Sequence, residues 1–276
     1  MSLEPGTPSS KRKKVTTNSL RSMKAKGEHI AALTAYDHLM AGLIDKAGID
    51  LILVGDSVAT VVQGHDTTVP VTMEQMLYHA RLVSRAVERA LVVGDLPFMS
   101  YQVNPDEALR NAGRMAKDAG VEAVKLEGGE VICPTVRRIV DAGIPVMGHL
   151  GLTPQSIHKF GTYQVRATTD EEADQLKRDA RSLQDAGVFA MVIEKVPAGL
   201  ATEVADMLEV PIVGIGAGGG CDGQILVSHD MLGMYTKFNP RFVRRYADIG
   251  ETMLGAFGKF LEDVKARDFP SEDESY

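Results

Sequence analysis

The chain has 276 residues, 44% of them hydrophobic, and a formal net charge of −7. That balance gives no footing for nucleic acid or an anionic membrane as partner, though a locally positive site could still take an anionic substrate. Aromatic residues make up 5% and tryptophan is absent, so the core has to be built from Val, Ile, Leu, Ala and Met.

The N-terminal stretch MSLEPGTPSSKRKKVTT is rich in Ser, Thr, Pro and Lys and lacks the apolar segment of a signal peptide. Residues 1–20 read as a disordered tail, with KRKK as a solvated basic patch in preference to a localisation signal or nucleic-acid arm. Residues 21–276 read as a single domain. No apolar stretch approaches the ~20 residues of a membrane span. Cys133 and Cys221 lack metal spacing, and two free thiols in a reducing cytoplasm are expected.

From His29 onward strands and helices alternate. HIAALTAYD predicts a strand, and HLMAGLIDKAG a short helix stopped by Gly48. IDLILVGDS is the second strand. VTMEQMLYHARLVSRAVE is a helix with Thr72 placed to cap it. ALVVGDLPF is followed by a helix with Asn104 at its cap and Pro105 in its first turn. The strands VEAVKLEGG, IPVMGHLG, VFAMVIEKVP, VPIVGIGAG and GQILVSHDMLG complete the set, and within the long loop LTPQSIHKFGTYQVRATT the stretch HKFGTYQV reads either as a lid or as a plain surface loop. A helical region is expected from about Pro240 to Val264.

These strands are continuous apolar runs, the pattern of parallel strands buried on both faces. Several helices end in Ala-Gly directly before a strand (Ala47-Gly48, Ala119-Gly120, Ala142-Gly143, Ala186-Gly187), where glycine supplies the left-handed cap. Eight strand starts, at His29, Asp50, Ala90, Glu122, Ile144, Phe189, Pro211 and Gly223, point to a closed (β/α)8 barrel. A doubly wound open sheet is the alternative.

A barrel of this kind carries its site at the C-terminal ends of the strands. Polar groups fall there: Asp56-Ser57, Asp95, Lys125 and Glu127, His149, Glu194-Lys195, and Ser228-His229-Asp230. Asp56, Asp95 and Glu127 would repel one another in one pocket unless a cation sat between them. An all-oxygen set favours a hard ion, Mg²⁺ before Mn²⁺ or Co²⁺. Alternation puts Lys125 and Glu127 on one face, either as an ion pair or with Lys125 turned to an anionic substrate. Glu194 is placed to be a general base, or to pair with Lys195 or a loop backbone. Metal, lysine and base together suit enolisation next to a carbonyl. GIGAGG matches a dinucleotide fingerprint in letters only, because loop and strand follow it where a helix should.

TAYD, LVGDS, QGHDTTVPVT, DLPFMSY, VKLEGGE, PVMGHLGLTPQS, GIGAG and DGQILVSHDMLG, in this order, resemble the ketopantoate hydroxymethyltransferase family. The resemblance implies a TIM barrel of the phosphoenolpyruvate-binding superfamily. It implies transfer of a hydroxymethyl group from 5,10-methylenetetrahydrofolate to α-ketoisovalerate in pantothenate synthesis. It further implies Mg²⁺ on Asp56, Asp95 and Glu127, keto-acid contacts at Ser57, Asp95 and Lys125, and His149 lining the pocket. Glu194 matches the family base, and the family forms homodecamers. A lyase or phosphomutase of the same superfamily, and a barrel serving only to bind, are the alternatives.

Overall fold

The apolar runs form eight parallel strands: β1 (Ile30–Thr34), β2 (Leu51–Val54), β3 (Leu91–Asp95), β4 (Ala123–Glu127), β5 (Val146–Gly151), β6 (Ala190–Glu194), β7 (Ile212–Ile215) and β8 (Gly223–Leu226). In this computed structural model, which describes residues 13–235 and 240–276, the strands follow one another in sequence order around a closed barrel. The open doubly wound sheet is thereby ruled out.

Helices connect the strands and cover them, among them His38–Ala47, Met73–Ser84, Pro105–Ala119, Cys133–Asp141, Asp170–Asp185 and Ala198–Met207. Their ends are marked by side chains that meet the first free amides. The Thr72 hydroxyl accepts from Gln75 N–H and Gln75 answers on the Thr72 amide, a complete capping box. Asn104 accepts from Glu107 N–H ahead of Pro105. Gly48 and Gly120 take the left-handed conformation that the Ala-Gly pattern implies.

Alternation along each strand splits the apolar residues into two layers. Leu51, Leu53, Leu91, Val93, Ala123, Met147, Val192 and Val213 belong to the cluster inside the barrel. Ile52, Val54, Val92, Val124, Leu126, Ile193 and Ile212 belong to the larger cluster under the helices. Each such side chain contributes roughly 1.5–3 kcal/mol on burial.

Part of the expected tail is instead built into the fold. Thr16 caps the helix Thr17–Lys26, and Val15 and Leu20 join the cluster inside the barrel. Lys14 Nζ donates to Ala90 O at 2.8 Å beside the start of β3, and Lys24 Nζ lies 2.8 Å from Asp222 Oδ2 just before β8. The reading of residues 1–20 as disordered is therefore corrected for residues 13–20: two apolar side chains, Val15 and Leu20, suffice to seat a polar helix under the strands. Residues 1–12 lie outside the described residues.

The chain divides into two compact units, one ending at Ile225 and carrying the barrel strands, the other running from Leu226 to Tyr276. In the second unit two expectations are corrected. Ser228–Met231 is a short helix and not a continuation of β8. The C-terminal helix runs from Ile249 to Ala266, leaving Pro240–Asp248 as turn and irregular chain. Among the described residues no helix is long and apolar enough to cross a membrane, and both cysteines are free thiols.

Candidate active site

The inward-facing series of four adjacent strands change character near their C-terminal ends. On β3 it runs Leu91, Val93, Asp95. On β4 it runs Ala123, Lys125, Glu127. On β5 Met147 is followed by His149, and on β6 Val192 by Glu194. The apolar residues fill the barrel and the polar ones line its mouth. Register then sets neighbours: Asp95 stands opposite Lys125, Glu127 opposite His149, and Gly151 opposite Glu194.

Lys125 does not pair with Glu127. Its Nζ lies 2.9 Å from Asp95 Oδ1. Glu127 Oε1 instead lies 3.2 Å from His149 Nδ1, and the other face of the imidazole, Nε2, lies 3.3 Å from Glu194 Oε2. Two strands apart, Glu127 and Glu194 are thus joined through one histidine. Lys125 and Glu127 share a face: Lys125 Nζ pairs with Asp95 on one side and lies 3.3 Å from His149 Nδ1 on the other, the ring nitrogen that Glu127 Oε1 also faces.

Asp56 follows β2, and its amide donates to Asp95 Oδ2 at 3.0 Å. Ser57, beside it, holds the Tyr36 hydroxyl at 2.7 Å. One residue that the sequence reading passes over completes the cluster. Gln155, in the turn Pro154–Ser156 after β5, donates from Nε2 to Asp56 Oδ2 at 2.9 Å and from its backbone to Glu127 Oε2 at 3.0 Å. Tyr101 is the second such residue, with its hydroxyl against Glu127 O at 3.0 Å and Gln155 Oε1 at 2.9 Å. Both sit in segments without period or charge pattern. PQS and MSY do stand inside the motifs quoted for the family resemblance, the one signal that could have raised them.

Backbone geometry serves the same cluster. Gly151 closes β5 with φ +89°, and a Cβ there would sit 2.2 Å from Glu194 O, so only glycine lets β5 pass so close to Glu194. Directly after β6, Lys195 takes φ +46° and donates from Nζ to the Tyr163 carbonyl, fastening the loop beyond the helix Ile157–Phe160.

Asp56, Asp95, Lys125, Glu127 and His149 are all at most 5% exposed. Four carboxylates, counting Glu194, face two cations in this low-dielectric space. Burial first, then the charges of Asp95 and Glu127, lift Asp56 to about 8. Burial raises Asp95 as well, against the pull of Lys125. Burial opposes the Lys125 ammonium, but Asp95, Glu127 and Asp56 outweigh it and hold the amine charged. Burial and Lys125 push His149 down, yet its contacts with Glu127 and Glu194 prevail and raise it to about 9.

Among the described residues no group of three His, Cys, Asp or Glu side chains stands ready to hold a metal. The three carboxylates read as ligands share a pocket but are tied to Lys125, Gln155 and His149. The donor set still suits a hard cation. It is all oxygen, it carries surplus negative charge, and Asp95 Oδ1 and Glu127 Oε1 are buried without an aligned hydrogen bond among the described residues. Next to Glu127, Tyr101 and Gln155 opens a cavity of about 540 Å³ walled by Phe98, Phe160 and Arg166. Neither cysteine is poised as a nucleophile: burial raises the Cys133 thiol and brings Cys221 to about 11.

Comparisons with known proteins converge on one family. A 3-methyl-2-oxobutanoate hydroxymethyltransferase of Christiangramia forsetii is 60% identical over 264 residues, covering 96% of this chain and 97% of the relative. One from Salinibacter ruber is 59% identical, covering 95% and 99%. Among solved structures, phosphonopyruvate hydrolase in complex with oxalate and Mg++ superposes with a TM-score of 0.62 at 14% identity, covering 94% of this chain and 93% of that one. A 2,3-dimethylmalate lyase of the PEP mutase/isocitrate lyase superfamily gives 0.59 at 18%, covering 95% and 92%. These two share the fold. The family model for ketopantoate hydroxymethyltransferase matches residues 14–272, and with that match and those relatives the chain belongs to the ketopantoate hydroxymethyltransferase family.

Proposed function

We propose that the chain forms ketopantoate by moving a hydroxymethyl group from 5,10-methylenetetrahydrofolate to α-ketoisovalerate, a cytoplasmic step of pantothenate and coenzyme A synthesis. The observation that carries this reading is the buried chain of charges at the barrel mouth, Asp95 to Lys125 and Glu127 to His149 to Glu194. An ammonium on β4 and a carboxylate on β6, both at the same barrel mouth, support enolisation.

Asp56, Asp95 and Glu127 would hold Mg²⁺, which when bound supplies Lewis-acid polarisation of the keto acid. Ser57, Asp95 and Lys125 contact that acid, with the Lys125 ammonium set against the oxygen that becomes negative. Glu194 takes the proton from C3. His149, held as a cation between Glu127 and Glu194, orients that carboxylate and tempers the repulsion between the two. The nucleophilic carbon then forms the new carbon–carbon bond to the donor's one-carbon unit as the first of that unit's two carbon–nitrogen bonds opens and the freed nitrogen takes up a proton. Water supplies the hydroxyl as the second carbon–nitrogen bond breaks, its other proton going to that nitrogen, and tetrahydrofolate is released. The cavity beside Glu127 and Gln155 gives the donor an approach lined by Phe98 and Phe160.

The test is turnover of α-ketoisovalerate with methylenetetrahydrofolate, followed by ketopantoate formation. Activity is expected to vanish in excess EDTA and to return with Mg²⁺. Full activity without a divalent ion would overturn the metal's part, and no ketopantoate under any condition would overturn the reading.

A further inference from the structure

Gln155 is 4% exposed and every bonding position of its side-chain amide is filled. Both N–H groups are used, on Asp56 Oδ2 at 2.9 Å and Leu96 O at 3.0 Å. The amide oxygen faces the Tyr101 hydroxyl at 2.9 Å and Gln102 Nε2 at 3.3 Å. Its backbone N–H meets Glu127 Oε2 at 3.0 Å. A buried amide with two donors and two acceptor sites engaged cannot flip without losing partners it has no water to replace.

Resting on the reading above, we propose that Gln155 is the positioning residue of this site. Its side chain fixes the Asp56 carboxylate and its main chain fixes the Glu127 carboxylate. One residue thereby sets the spacing and rotation of two acids carried by β2 and β4, which share no direct strand pairing. Asp56 needs such a hold. It lies two residues beyond the end of a four-residue strand, outside the strand's own pairing. The Gln155 Nε2–H supplies a neutral donor to one of the Asp56 oxygens, Oδ2. Tyr101 braces the arrangement from behind: its hydroxyl accepts from Glu127 N–H at 3.1 Å, and its single proton serves either Glu127 O or Gln155 Oε1. Groups that orient ligand carboxylates in this way are typically worth 10–100-fold in metal affinity or activity when removed.

Two variants separate positioning from mere packing. Gln155→Glu keeps size and shape and can still accept from Tyr101, but loses the donors to Asp56 and Leu96. Gln155→Ala removes the side-chain half of the bridge and leaves the backbone N–H to Glu127 Oε2 in place. Isothermal titration with Mg²⁺ alone, and exchange of the C3 proton of α-ketoisovalerate into D₂O, are read for wild type and both variants, with thermal unfolding as the check on folding. We expect both folded variants to bind Mg²⁺ about 10–100-fold more weakly, with slowed exchange. Should Gln155→Glu fold and retain wild-type Mg²⁺ affinity and exchange, Gln155 does not position the acids. Should wild type itself bind no Mg²⁺ and exchange no proton, the functional reading fails instead. If Gln155→Ala does not fold, Gln155→Glu decides alone, and Gln155→Asn is the shape control that should fail like Ala because its amide is one methylene short of Asp56.

Discussion

Lys125 and Glu127 look like a pair in the sequence and are not one in space. Lys125 goes to Asp95 and Glu127 to His149. The Glu127 carboxylate on β4 thereby connects through His149 to Glu194 on β6, the base proposed above. Glu194→Gln tests that end of the chain. It keeps the shape of the side chain and removes its basicity, so C3 proton exchange of α-ketoisovalerate into D₂O is expected to fall by about 10²–10⁴-fold, with KM for the keto acid little altered. NMR of the C3 position follows it directly. Exchange persisting at the native rate would assign the base elsewhere. Asp56, Asp95, Lys125, Glu127, His149 and Glu194 were legible in the sequence because each interrupts or ends an apolar run, where burial otherwise forbids charge. Gln155 and Tyr101 were not. An uncharged amide and a phenol in a loop carry no periodic signal, and their importance lies in contacts 54 positions apart along the chain.

At the scale of elements, the eight strand starts read from the sequence fall within two residues of those observed, Ile144 against Val146 being the widest gap. Strands buried on both faces leave long apolar runs that nothing else in a soluble chain produces so regularly. Short polar helices leave no such mark. Thr17–Lys26 has a single buried residue, Leu20, on a sequence that otherwise looks solvated. That one side chain, 0% exposed within the interior cluster, carries much of the hold between helix and barrel. Leu20→Ala is therefore expected to cost about 2–5 kcal/mol in stability, as for other buried leucines. Urea unfolding of the folded variant measures it. A loss below about 0.5 kcal/mol, the scale of surface substitutions, would mean that the helix is only laid against the strands. Because the helix meets the strand starts, at the end of the barrel away from the site, the kcat of the folded variant should stay near that of wild type.

At the scale of the whole molecule, the second unit raises the question of what its long helix is for. Ile249–Ala266 has no buried residue, yet Met253, Phe257, Phe260 and Val264 recur at helical spacing, with Leu254 and Leu261 beside them, all between 39% and 64% exposed. An isolated helix of this length is marginal in water, and a stripe of this kind normally finds an apolar partner. We propose further copies of the same chain as that partner, as the resemblance to a family of homodecamers implies, with the apolar stripe as the physical reason for self-association. Ten copies of a 29.8 kDa chain would scatter as a particle near 298 kDa. Phe257→Glu with Leu261→Glu places two charges in the middle of the stripe, where desolvating them against an apolar surface costs several kcal/mol each. Multi-angle light scattering is expected to show the wild type as a large closed assembly and the double variant as a smaller species. Proton exchange by the barrel should survive in that smaller species, since every residue assigned to it belongs to the first unit. A wild type that elutes at the mass of one chain would leave the stripe without its proposed partner. A double variant that stays at full mass would move the contact to another face.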